Sequence, residues 1–193
     1  MKHNGLTGLL VFAAFAALTG CKTEPETIVI ENSVELSGEP ADMSGYYWLE
    51  EGEDSFVEIT AAESIRLFAE GGSGILYYGY VGCPFCERAV PELAKAASQY
   101  GITVYYVDVY HPANTPEIYQ TLFEYIDSVL VETDSGKAFK VPLVIAVNHG
   151  EIVGSQLALV DGYRIESEDS QMSGSQKKEL QNIYIDLFRR AAE

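Results

Sequence analysis

Two cysteines in the run Cys83-Pro84-Phe85-Cys86 follow an apolar stretch from Ile75 to Val81 and precede a helix-like segment. This placement constrains the fold more than any other feature, because the chain must pass from a core strand into a helix with a sulfur at the junction. With a helix beginning at Cys83 or Pro84, its first backbone N–H groups and the positive end of its dipole face the Cys83 sulfur and favour the thiolate. Pro84 suits a first helical position, where its missing N–H would have been unpaired and its φ is already helical. Cys86 then sits one turn further in and within reach of a mixed disulfide on Cys83. The expectation is a redox pair, with Cys83 the nucleophile and Cys86 the resolving thiol.

The N-terminus reads as an export signal. Lys2 and His3 precede an apolar run from Gly5 to Leu18, too short for a comfortable membrane span and suited to a signal-peptide core. Leu18-Thr19-Gly20-Cys21 closes it and resembles the lipobox of bacterial lipoproteins. That resemblance implies cleavage after residue 20 and a lipidated Cys21 that anchors the chain in a bilayer, since several acyl chains hold where one does not. An ordinary secretory signal, or an uncleaved anchor with a free Cys21 thiol, is the alternative. Export places the chain in the bacterial cell envelope, where disulfides persist. With Cys21 lipidated, Cys83 and Cys86 are the only thiols of the chain.

Lys2 carries the only formal charge in the first twenty residues, so their removal takes the net charge from −17 to −18. Such a balance argues against nucleic acid and against peripheral binding to anionic headgroups, and favours solubility or partners with basic patches without naming one. Residues 21–45 are acidic, contain Pro25 and Pro40 and lack sustained periodicity. They read as a lipidated N-terminus and a tether ahead of one domain over residues 46–193.

Within that domain Tyr46-Tyr47-Trp48-Leu49 and Ser55 to Ile59 read as short strands, and Thr60-Ala61-Ala62-Glu63 reads as a capping box for a helix ending at Gly71-Gly72. Residues 75–81 form a buried strand. The next helix runs to Tyr100 with Gly101 as its stop, and Cys86, Val90, Leu93, Ala97 and Tyr100 share one face. Ile102 to Val109 is a strand, and Thr115-Pro116-Glu117 opens a helix reaching about Val131, followed by a loop from Glu132 to Lys140. Pro142 to Val147 and Ile152 to Ser155 flank the turn Asn148-His149-Gly150-Glu151, which makes them an antiparallel hairpin. Ser173-Gly174-Ser175-Gln176 caps a last helix with Leu180, Ile183, Leu187 and Ala191 inward.

The order βαβ, helix, β-hairpin, helix resembles that of the thioredoxin-like thiol-disulfide oxidoreductases, from about Phe56 to Ala192. Pro91, five residues after Cys86, stands where the family has its kinking proline, and Val141-Pro142 stands where it has its cis-proline loop. The resemblance implies an α/β fold with a central mixed sheet of four to five strands flanked by helices. It implies a cis Pro142 beside the Cys83-Pro84-Phe85-Cys86 loop, with the Val141 backbone pairing with an extended client. It further implies cysteine-containing protein clients, a redox partner protein and no cofactor or metal. Among lipoprotein members the chain resembles the bacteriocin-transport-accessory type.

The chain also departs from that family. Where typical members have a tryptophan before the first cysteine and a buried aspartate six residues before it, this chain has Gly82 and Tyr77. The usual proton acceptor for Cys86 is therefore missing, and a phenol with pKa near 10 is a poor substitute, which leaves water or another carboxylate such as Glu87. Cys83 and Pro142 are separated by 59 positions, more than in small thioredoxins. Two rival readings stand beside the redox one. Cys83 and Cys86 with His111 and His149 make a candidate zinc set, with His111 otherwise a loop histidine or a tuner of Cys83. A lipid-anchored adaptor with a static Cys83–Cys86 disulfide would instead present Tyr46, Tyr47, Trp48, Tyr105, Tyr106 and Tyr110 as its binding surface.

Overall fold

The computed structural model describes residues 26–50, 52 and 54–193. The expected signal peptide and the expected Cys21 anchor lie outside the described residues. In chain order the elements are β1 (Glu39–Pro40), β2 (Phe56–Glu58), α1 (Ala61–Ala69), β3 (Gly74–Gly79), α2 (Cys86–Tyr100), β4 (Val104–Asp108) and α3 (Pro116–Tyr125). They continue with β5 (Val131–Thr133), β6 (Gly136–Ala138), β7 (Leu143–Asn148), β8 (Glu151–Leu157) and α4 (Gly174–Ala192).

Six strands form one mixed sheet in the order β1-β2-β4-β3-β7-β8, and β5 and β6 form a separate hairpin. β3 is buried along its whole length, flanked by parallel β4 and antiparallel β7. A strand covered on both faces needs a continuous apolar run, and Ile75 to Tyr78 supplies it. Ile75 and Tyr77 point to the layer of α2 and α4, among Val90, Leu93, Leu180 and Phe188. Leu76 and Tyr78 point to the layer of α1 and α3, among Leu67, Phe68 and Leu122. The fold is therefore α/β, a mixed sheet with four helices on its two faces. Among the described residues no helix is long and apolar enough to cross a membrane.

Several expectations need correction. The sheet has six strands where four to five were expected, because Glu39–Pro40 adds an antiparallel edge to β2. Tyr46 to Leu49 form turns, not a strand. The stretch expected to be a free tether packs on the domain: Ile28, Val34 and Met43 are buried, and Arg189 grips the Glu26 carboxylate with two hydrogen bonds of 2.6 Å. Its scattered apolar residues have no strand or helix period, yet Ile28 and Met43 join the core on the α2 and α4 side. α3 stops at Tyr125 and is followed by a 3-10 turn at Asp127–Val129. The expected loop contains the β5–β6 hairpin, which Gly136 allows at φ 110 and Thr133 closes onto the Gly136 carbonyl at 2.5 Å. The two strongest helix signals hold: Gly101 ends α2 at φ 65, and Ser173 and Gln176 form a complete capping box on α4.

Candidate active site

β3 delivers the chain to Tyr80 and Val81, and Gly82 then turns it at φ 88, a conformation that a bulky residue adopts only under strain. This accounts for glycine before Cys83. Regular helix begins at Cys86, later than the expected Cys83 or Pro84, because Pro84 and Phe85 form a turn. Phe85 offers no side-chain cap; Cys83 supplies the acceptors instead. The Cys86 amide donates to the Cys83 sulfur at 3.4 Å, and the Glu87 amide donates to the Cys83 carbonyl at 2.9 Å. Two helix-end amides thus converge on the first cysteine, one satisfied by its sulfur and one by its carbonyl.

Both cysteines are free thiols, Cys83 5% exposed and Cys86 fully buried. The Cys86 thiol donates toward the Cys83 sulfur, and despite desolvation this bond and the Cys86 and Phe85 amides bring the Cys83 pKa down to about 6. Glu87 opposes the shift with its negative charge. The same bond to Cys83, followed by burial, pushes the Cys86 pKa up. One thiolate and one thiol share the proton between them.

Behind Cys86 stands a cluster of tyrosines. The Tyr77 hydroxyl is close enough to the Cys86 thiol to pull its pKa down against burial and lies 3.4 Å from the Tyr46 hydroxyl, which donates to Tyr106 at 3.4 Å. The Tyr77 and Tyr106 rings stack at 5.6 Å. Gly79 makes room for this arrangement, since a Cβ there would stand 2.2 Å from the Tyr77 hydroxyl. Burial raises the pKa of Tyr77, Tyr46 and Tyr106. These phenols stay neutral; they orient and donate hydrogen bonds but do not take up a proton. The Tyr184 hydroxyl is also buried there, with no hydrogen-bond partner among the described residues.

Glu87, considered above as a proton acceptor, has both oxygens committed: Oε2 accepts from the Tyr47 amide at 2.7 Å and Oε1 from the Gly82 amide at 2.9 Å. It staples the N-terminal segment to the cysteine loop. Next to it Arg88 is buried and donates to the Pro84 carbonyl at 2.7 Å, the Ser170 carbonyl at 2.7 Å, the Tyr163 hydroxyl at 3.3 Å and the Ser167 carbonyl at 3.4 Å. It also donates to the Glu168 carbonyl. Sequence reasoning missed Arg88, and the one available signal was its place in the first turn of α2 next to the apolar pair Ala89-Val90. It also missed Glu92, buried on α2 and held by Gln181 at 2.5 Å and Lys177 at 3.6 Å.

The Val141–Pro142 peptide is cis. Leu143 pairs with Tyr78, so Pro142 lies at the end of the sheet where β3 leaves for Cys83. Val141 and Tyr80 line a groove of about 530 Å³ with Tyr110, Tyr119, Phe123 and Phe139. The Cys83 charge raises the Tyr80 pKa, which puts the phenol near Cys83. Phe85 and Val81, 41% and 47% exposed, form an apolar rim.

The candidate zinc set does not assemble. The His149 amide donates to Ser73, just before β3 begins, whereas Cys83 follows its far end, roughly 20 Å away along six strand residues. His111 lies in a recess with Ser37, Glu39 and Glu58 on the outer side of β2, its Nδ1 accepting from the Ala113 amide at 3.2 Å. Among the described residues no three metal-binding side chains gather. Comparison of the chain with protein-family models and with curated proteins finds no match.

Proposed function

We propose that the protein is a thiol–disulfide oxidoreductase of thioredoxin-like fold, acting on cysteine-containing proteins in the bacterial cell envelope and held to a bilayer through Cys21. The fold part of the reading is supported by the order β2-β4-β3-β7-β8 with α2 and α4 on one face, the arrangement of that family with β1 added at the edge. The observation that carries the chemistry is the asymmetric placement of two free thiols, Cys83 accepting the Cys86 amide on its sulfur at 3.4 Å and Cys86 fully buried behind it; the lowered Cys83 pKa and the raised Cys86 pKa agree with it.

The Cys83 thiolate attacks one sulfur of a client disulfide, forming a Cys83–client disulfide and releasing the client's other sulfur as a thiolate. Cys86 loses its proton and attacks the Cys83 sulfur, closing the Cys83–Cys86 disulfide and expelling the second client thiolate. Two electrons pass from the pair to the client, and a redox partner protein returns them. The same steps reversed oxidise a client, and the reduction potential of the pair decides the direction.

Redox titration of the full chain, with mass-tagging of Cys83 and Cys86, tests this. A reversible two-electron couple near about −270 mV identifies a reductant, and one near about −120 mV an oxidant. A pair that stays oxidised below about −300 mV is a structural disulfide, and the adaptor reading then replaces the enzyme.

A further inference from the structure

A second groove opens near Cys83. It holds about 480 Å³ and is lined by Tyr47 and Trp48 from the N-terminal stretch, by Ile165, Glu168 and Asp169 from the loop before α4, and by Gly82, Pro84, Glu87 and Arg88 between them, three acids against one base. Gly82 and Pro84 are the chain neighbours of Cys83, so the groove runs beside the loop that carries this cysteine. The first two groups come from segments outside the strand–helix core: the N-terminal stretch, and the loop of residues 158–173 between β8 and α4.

Both segments are fastened to the first turn of α2 by adjacent residues. Glu87 holds the Tyr47 amide at 2.7 Å, and buried Arg88 holds the Ser170 carbonyl at 2.7 Å and the Glu168 carbonyl. These fastenings use backbone groups and leave the side chains of Glu168 and Asp169 free. Among the described residues neither carboxylate makes an ion pair. The N-terminal stretch adds a pair of rings in edge contact, Tyr47 to Trp48 at 4.7 Å, with Tyr47 78% exposed. Aromatic rings and two unpaired carboxylates in one groove suit one chemistry: a long cationic side chain whose stem lies on the rings and whose head meets the acids.

We propose that this groove selects client proteins by an arginine or lysine close to the reacting cysteine. The inference rests on the exchange reading above and names its substrate class. A client chain laid across Cys83 reaches the groove within about two residues of its own cysteine, at roughly 3.3 Å per extended residue. The loop of residues 158–173 carries Asp161, Glu166, Glu168 and Asp169 against Arg164 alone, so its field attracts the same residue before contact.

The test uses the full chain with Cys86→Ser and synthetic peptides bearing one cysteine activated as its thionitrobenzoate disulfide. Cys83 attacks the peptide sulfur, the Cys83–peptide disulfide forms, and coloured thionitrobenzoate leaves and reports the rate. A peptide with arginine beside the cysteine is expected to react roughly tenfold faster than one with glutamate there, less so at high salt. Glu168→Lys with Asp169→Lys reverses the order. Glu31→Lys with Glu151→Lys changes the net charge equally at the opposite end of the sheet, near Asn32–Ser73 and the β7–β8 turn, and preserves it. Equal rates for the two peptides, or equal effects of the two double variants, overturn the groove inference and leave the exchange reading standing. A Cys83 that forms no disulfide with any peptide overturns both.

Discussion

Cys83 and Cys86 share one turn of chain, yet the structure holds them in opposite ways. Cys83 faces backbone amides and its partner's proton, with an apolar rim nearby and grooves lined by its chain neighbours Gly82 and Pro84 and by Tyr80. Cys86 faces the core, where tyrosine rings and their neutral hydroxyls surround it. Dipoles aimed at one sulfur make an anion there; burial around the other forbids one until the first has reacted. Exchange chemistry needs this division, because an attacking thiol works best with a pKa near ambient pH while the second must wait for the mixed disulfide. The difference between the two sides also sets out how to break it.

The largest expected effect follows from removing the shared proton. The leading cause of the low Cys83 pKa is the hydrogen bond from Cys86, so Cys86→Ser weakens it and Cys86→Ala removes it. In Cys86→Ala the inflection in Cys83 alkylation by iodoacetamide is expected to climb from about 6 toward the ordinary thiol value of about 8.5. At a pH near 6.5 that slows alkylation by up to roughly a hundredfold. An inflection that stays put would give the amides sole responsibility. The same depressed pKa links to stability: in the reduced protein Cys83 contributes fully above its unfolded pKa, and the contribution is lost as pH falls through about 6. The urea midpoint of the reduced chain should therefore fall between pH 8 and 5 by more than that of Cys83→Ser.

The nucleophilic side was more legible in the sequence than the buried one. An apolar run, a glycine, a cysteine pair and a helical face state the strand–turn–helix junction by local signals alone, and the β7–β8 hairpin and the α4 capping box announce themselves likewise. What surrounds Cys86 is assembled from distant chain: Tyr46 from a segment read as a strand, Tyr106 from β4 and Tyr184 from α4. No local spacing relates them. Arg88 escaped notice because a charge on a helix reads as solvent-facing unless the loop whose carbonyls surround it is known. Residues 26–45 were misread because their polar composition outweighed apolar side chains without a period.

A smaller effect tests Tyr77, the buried phenol behind Cys86. Once Cys83 is bound to a client it no longer accepts the Cys86 proton, and Cys86 must become a thiolate among neutral phenols. Tyr77, its pKa raised above the ordinary value by burial, donates a hydrogen bond to that thiolate while the proton leaves to water. Tyr77→Phe keeps the ring and the stack on Tyr106 and deletes only the donor. Decay of the mixed disulfide, followed by stopped-flow, is expected to slow roughly tenfold, the worth of one hydrogen bond to a charged group. Attack by Cys83 should change by less than about twofold, since Cys83's own donors are untouched. Equal slowing of both steps would mean that the hydroxyl only holds the fold in shape.

The smallest effect separates two roles of Glu87. Its carboxylate gives one acceptor oxygen to Tyr47 and one to Gly82, whereas a glutamine has a single acceptor. Glu87→Gln therefore strands one amide and should cost about 1 kcal/mol, the low end for a half-exposed group, read as a lower urea midpoint. Its charge, however, works against the Cys83 thiolate, so neutralising it should move the alkylation inflection slightly below about 6. The two changes have opposite signs for the chemistry: a looser turn carries the Cys86 amide away from the Cys83 sulfur and raises the pKa, while the lost charge lowers it. A downward shift in a less stable protein shows that the staple and the field are separable. An upward shift shows that Glu87 serves Cys83 mainly by holding the Gly82 turn in place.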